Sequence, residues 1–205
     1  YLISCNIAEV LVIFIAIIVG WDSPLIPIQI LWMNLATDAL PALALASDTK
    51  SLDIMQRKPR NPKSPVLNSK SMEKLAFVGL LITIGTLGMY SFQLETEGLE
   101  KARTSAFSMM IFFQLFVALS WHADHETLLK AGIFKNKFLI GTILLGFIAQ
   151  FLIVQTGALE AIFDTVPLTA MEWFAIILVS SSVLIAEEVA KYVAKLRGTR
   201  VAFSD

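Results

Sequence analysis

The sequence predicts an all-α membrane protein, a six-transmembrane-helix bundle with a broken second helix. Three observations carry this. The 205 residues are 56% hydrophobic and 16% charged, with a mean hydropathy of +0.71, whereas soluble domains carry about 25% charged residues. Six apolar runs reach the roughly 20 residues that a helix needs to cross a bilayer core. Basic residues gather in alternate connections between those runs. Backbone groups in lipid must be satisfied within each segment, which selects helices. So apolar a chain must bury itself, which excludes disorder. A net charge of −1 gives no attraction to nucleic acid, and no such partner is expected. The single cysteine, Cys5, excludes a disulfide framework and a Cys-rich metal site.

The first run, Tyr1–Gly20, starts almost at once, with neither a helix cap nor the pattern of a secretory signal before it. It reads as a piece of a longer polypeptide. The second run, Pro24–Ala46, follows a link at 21–23 so short that the two helices are antiparallel neighbours. A connection at 47–74 comes next. Pro59, Pro62 and Pro65 stiffen it, so it reads as ordered surface. The remaining runs are Leu75–Leu94, Thr104–Trp121, Phe138–Gly157 and Met171–Ala190, joined at 95–103, 122–137 and 158–170. The expected organisation is an ion-binding helix pair at 1–46, a cytoplasmic loop at 47–74, a four-helix support region at 75–190 and a tail at 191–205.

The basic residues set the orientation. The 47–74 connection holds Lys50, Arg57, Lys58, Arg60, Lys63, Lys70 and Lys74. The 122–137 connection holds Lys130, Lys135 and Lys137, and the tail holds Lys191, Lys195, Arg197 and Arg200. The other side has Lys101 and Arg103. The expected product is an integral, multi-pass protein in a lipid bilayer (the cell membrane, in a bacterium) with both ends in the cytoplasm.

Two acids lie well inside apolar runs, where an ionised carboxylate costs about 2.5–3.5 kcal/mol on insertion scales. Glu9 is in the first run, with Asn6 three residues before it. Asp38 is in the second, with Thr37 beside it and Asn34 four residues before. Such spacings share a helix face, while Cys5 is assigned a different ring position. The set offers carboxylates, amide oxygens and a hydroxyl, the hard oxygen ligands that Ca²⁺ takes six to eight at a time. Pro41 opposes the carbonyl of Thr37 and breaks the helix there, as in the discontinuous helices of transporters. With no basic residue in any run centre to pair the acids, an ion or proton pathway is the better reading than helix-gluing hydrogen bonds. Gln114, in the middle of the fourth run, either completes a coordination shell or bonds between helices. Ser180, Ser181 and Ser182 read as back-bonded hydroxyls. Glu187 and Glu188 read as interfacial partners of Lys191. His122, Asp124, His125 and Glu126 read as solvated residues at a span end more than as a metal cluster.

The run YLISCNIAEV resembles the fifth transmembrane helix of P-type cation-transporting ATPases. LWMNLATDALPALAL resembles their sixth helix, and LDIMQRKPRNPKSPVL the loop after it. The resemblance is to the calcium pumps most of all and covers nearly the whole chain, as the family's last six helices. It implies that Asn6, Glu9, Asn34, Thr37 and Asp38 are cation ligands and that Pro41 marks an unwound stretch. Ala39 departs from the glycine usual there. Gln114 stands where two-site pumps carry a glutamate, which implies one Ca²⁺ per cycle. Such a site would use Asn34 and Asp38 with Glu9 nearby, plus a glutamate and carbonyls from a helix outside this chain. The resemblance implies an ATP-driven translocase that exports Ca²⁺ from the cytoplasm. Neither the family's Asp-Lys-Thr-Gly motif nor a P-loop occurs here. Mg²⁺ and ATP would bind other domains, and the expected partners are N-terminal transmembrane helices and a phosphorylation domain of the same pump. The alternatives are a P-type pump for Mn²⁺, Na⁺ or K⁺, a stand-alone secondary transporter or channel, and a purely structural module.

Overall fold

A computed structural model describes residues 1–47, 69–122, 135–157 and 159–196. The elements are α1 (Leu2–Val19), α2 (Pro27–Trp32), a π-helical turn (Met33–Thr37), α3 (Ala39–Ala46), α4 (Ser69–Thr96), α5 (Leu99–His122), α6 (Lys137–Gln155), the short α7 (Glu160–Phe163) and α8 (Ala170–Leu196). Counting α2 to α3 as one span, six helical segments are long and apolar enough to cross a membrane. The fold is an all-α membrane bundle, and the chain is an integral multi-pass protein. The prolines, most of the basic residues of the 47–74 connection, and Asp124, His125 and Glu126 lie outside the described residues.

Three helices run longer than their apolar cores, α5 among them, which starts at Leu99 and takes in Lys101 and Arg103. α4 starts at Ser69 and takes in Lys70 and Lys74, and α8 continues through Lys191 to Leu196. Polar residues suit a helix once it leaves the bilayer, so hydropathy marks the crossing and not the helix end.

α5 is the hub. Every residue from Thr104 to Leu115 is buried, because α4, α8, α6, α3 and the π turn all pack against this helix. By contrast α1 buries a stripe of Cys5, Ala8, Glu9, Val12 and Ala16. Its opposite face leaves Val10 66% and Ile18 67% exposed, a surface suited to lipid or to further helices.

α1 ends at Gly20, whose φ of 82° closes a Schellman motif: Trp21 N–H donates to Ala16 O at 2.9 Å and Gly20 N–H to Ile17 O at 3.1 Å. The link that follows is tied down. Tyr90 Oη donates to Asp22 O at 2.8 Å, Arg103 Nε donates to Ser23 O at 3.0 Å, and the Trp21 ring packs on Tyr90. At the opposite end of the bundle Lys74 pairs with the buried Glu187 at 3.4 Å and lies over the Trp121 ring. Lys191 reaches Glu188 at 3.2 Å and Ser120 O at 3.3 Å. Glu187 therefore turns to α4 and not to Lys191. Ser180 and Ser181 bond back to Ile176 O and Leu178 O.

The second span is broken at Met33–Thr37, the stretch that ends at the Thr37 carbonyl which Pro41 opposes. Asp38 N–H skips a residue to reach Met33 O at 2.8 Å, the wide spacing of a π turn. Pro41 sits instead in the first turn of α3, where a missing N–H is tolerated. The proline leaves the Thr37 carbonyl without its usual helical donor, and the widened turn upstream absorbs the mismatch.

Candidate functional site

The π turn, α1 and α5 bring the polar residues of three spans together. Glu9 is buried on α1 and Asp38 at the end of the π turn. Each oxygen of Glu9 accepts from a different span: Oε2 from Asn34 Nδ2 at 2.9 Å, Oε1 from Gln114 Nε2 at 3.0 Å. Asp38 Oδ1 accepts from the Tyr1 hydroxyl at 3.0 Å. Thr37 is buried, and its hydroxyl donates to Met33 O at 3.0 Å.

Two oxygens at this site have no partner among the described residues. Asp38 Oδ2 and Gln114 Oε1 are both fully buried and accept no hydrogen bond. A buried acceptor left empty costs about 1–3 kcal/mol, more for a charged group. Both vacant atoms are acceptors, which a cation satisfies and a further carbonyl does not. Every oxygen type present is hard, as Ca²⁺ or Mg²⁺ prefers. Among the described residues no three His, Cys, Asp or Glu side chains gather to hold a metal. The two carboxylates and their amide neighbours fall short of a complete Ca²⁺ shell, so a complete site needs ligands from elsewhere.

The sequence-predicted residues separate here. Glu9, Asn34, Asp38 and Gln114 are linked or adjacent, and Thr37 is buried beside Asp38. Asn34 lies at the exposed rim. Asn6 is exposed and bonds to none of the others, whereas Cys5 is buried. Cys5 is thus a packed thiol on the same buried stripe as Glu9. The buried stripe runs 4, 5, 8, 9, 12, 16, and Glu9 sits at its edge. Cys5, four residues back, is nearer its centre than Asn6, three residues back. Tyr1 was missed altogether. Its signal was a phenol at the head of an apolar run, which needs a hydrogen-bond partner when buried, but nothing local names a partner 37 residues away.

Residues 22–193 match the family model described as the C-terminus of cation transporting ATPases. The chain is 34% identical over 212 residues to "Calcium-transporting ATPase 1" of Bacillus cereus, covering 95% of this chain and 24% of that protein. It is 35% identical over 179 residues to "Calcium-transporting ATPase" of Bacillus subtilis, covering 86% and 20%. It is 29% identical over 198 residues to "Calcium-transporting ATPase 1" of Yarrowia lipolytica, covering 96% and 21%. The chain thus spans a fifth to a quarter of the length of these relatives. It belongs to the P-type cation-transporting ATPase family and corresponds to the C-terminal membrane region of such a pump.

Proposed function

We propose that this chain is the ion-carrying membrane region of an ATP-driven Ca²⁺ pump that exports the ion from the cytoplasm. The observation that carries the reading is that buried Glu9 is bonded to Asn34 of the broken span, one turn before the likewise buried Asp38, whose second carboxylate oxygen has no partner among the described residues, with no basic side chain in the hydrogen bonds around them. The names of the relatives supply the ion, and the hard-oxygen set agrees with it. Ca²⁺ enters between α1 and the broken span and is held by Glu9, Asn34, Thr37 and Asp38. Asn6 and the exposed side of Asn34 face helices outside this chain, which complete the shell.

Gln114 gives its N–H to Glu9, so a second cation there would first have to displace a hydrogen bond; this favours one Ca²⁺ per cycle. Phosphorylation on a domain that also binds ATP and Mg²⁺ shifts the helices and opens the site to the far side, and protons return on the emptied carboxylates. The ends of the chain and the 47–74 connection are cytoplasmic, with that connection against the phosphorylation domain. Asp38→Asn in the full-length pump abolishes Ca²⁺-dependent phosphorylation from ATP. Retained calcium dependence defeats the assignment, and equal dependence on Mn²⁺ or Na⁺ reassigns the ion.

A further inference from the structure

Two fully or nearly fully buried amides hold the broken span at its two ends, one against the start of α6 and the other against α7. Asn136 caps α6, accepting from Leu139 N–H at 2.9 Å, while its Nδ2 donates to Ala44 O near the end of α3 at 3.0 Å. Gln29 does the same in the opposite sense. Its Oε1 accepts from Ile26 N–H at 3.2 Å at the start of α2, while its Nε2 donates to Phe163 O at 2.9 Å, in the segment that follows α6. The Trp32 ring packs edge-on against Phe163 and reinforces that grip. The break at Met33–Thr37 lies between the two anchors.

A π turn has fewer constraints than a continuous helix, so something outside it must set the angle between α2 and α3. α1 offers Glu9 to Asn34 and Tyr1 to Asp38, which join the site itself. The anchors on either side of the site both come from α6 and the segment after it. We infer that Asn136 and Gln29 are positioning residues for cation binding: together they make α6 and the α7 that follows it a bracket that fixes the two half-helices and so the placement of Asp38 relative to Asn34. This rests on the proposed function and names the groups that set the affinity of that site.

The test separates the two jobs of each amide. Asn136→Asp keeps the acceptor that caps α6, where an acidic cap is favourable, but has no N–H for Ala44 O. Gln29→Glu likewise keeps the acceptor for Ile26 N–H and loses the donor to Phe163 O. In the full-length pump, each variant lowers the apparent Ca²⁺ affinity for phosphorylation from ATP by about three- to tenfold, the scale of one buried hydrogen bond. The maximal phosphoenzyme at saturating Ca²⁺ is unchanged. Asn136→Ser, which caps but is too short to reach Ala44, reproduces the shift should the aspartate prevent folding. Wild-type Ca²⁺ dependence in the variants overturns the bracket and leaves the proposed function standing. So does a loss of phosphoenzyme with no change in affinity, which marks a purely structural role. A wild-type pump with no Ca²⁺-dependent phosphorylation overturns both.

Discussion

α5 crosses in one continuous helix of 24 residues, while the second span covers 20 residues in two pieces around a wide turn. α5 is buried along nearly its whole length, and its serines, threonine and Gln114 all face protein. The second span keeps Leu31 and Leu35 exposed on one side and turns Thr37 and Asp38 inward on the other. Both spans carry polar groups in a setting that punishes them. The continuous helix meets its own backbone needs and serves as a packing hub. The broken helix gives up a rung of its ladder and gains side chains aimed at a shared space. Stability is therefore concentrated behind the site and adaptability within it.

Three tests break or sharpen that contrast. The largest effect falls behind the site. Lys74→Met leaves the buried Glu187 without its ion partner and lowers the stability of the detergent-solubilised protein by about 3 kcal/mol, read from its unfolding midpoint. Lys74→Met with Glu187→Leu recovers most of the loss, and neither change shifts cation affinity. If the single change moves affinity as much as stability, the separation of roles fails. Next, a Cβ on Gly85 would lie 2.5 Å from the Phe113 ring of the hub, whereas one on Gly88 meets nothing within 4 Å. Gly85→Val should destabilise by about 1–3 kcal/mol through overpacking, and Gly88→Val should leave the unfolding midpoint where it was. The smallest effect falls in the site. Tyr1→Phe removes one donor from Asp38 and weakens apparent Ca²⁺ affinity about fivefold, or about 1 kcal/mol, with stability unchanged. A rise in affinity would show instead that the hydroxyl competes with the ion.

Much of the architecture was legible in the chain. The six spans follow from hydropathy, which a bilayer makes almost decisive. The two buried acids were identifiable because charge in lipid is expensive and nothing nearby could neutralise it. The errors share one cause. Helical spacing assigns residues to faces but does not say where the edge of the buried face falls, so Asn6 lies outside it while Cys5 lies within. Pro41 marked a disturbed helix, but the chain relieved the strain upstream at Met33–Thr37, as a wider turn and not as an unwound stretch. α7 is four residues long and carries no periodic signal. The bonds from Gln114 to Glu9 and from Tyr1 to Asp38 join residues 105 and 37 positions apart, a matter of packing that no local pattern encodes.

The stitched connection after Gly20 makes a lever of the first helix. With Asp22 and Ser23 moored to Tyr90 and Arg103, any tilt of that helix swings about its moored end. Glu9 lies eleven residues from Gly20, an arm of roughly 16 Å at about 1.5 Å per residue. A swing of about 4° moves its carboxylate by about 1 Å, several times the roughly 0.2 Å latitude of a metal–oxygen bond. A nudge too slight to disturb the surrounding packing would thus be enough to release the ion that the proposed function places there.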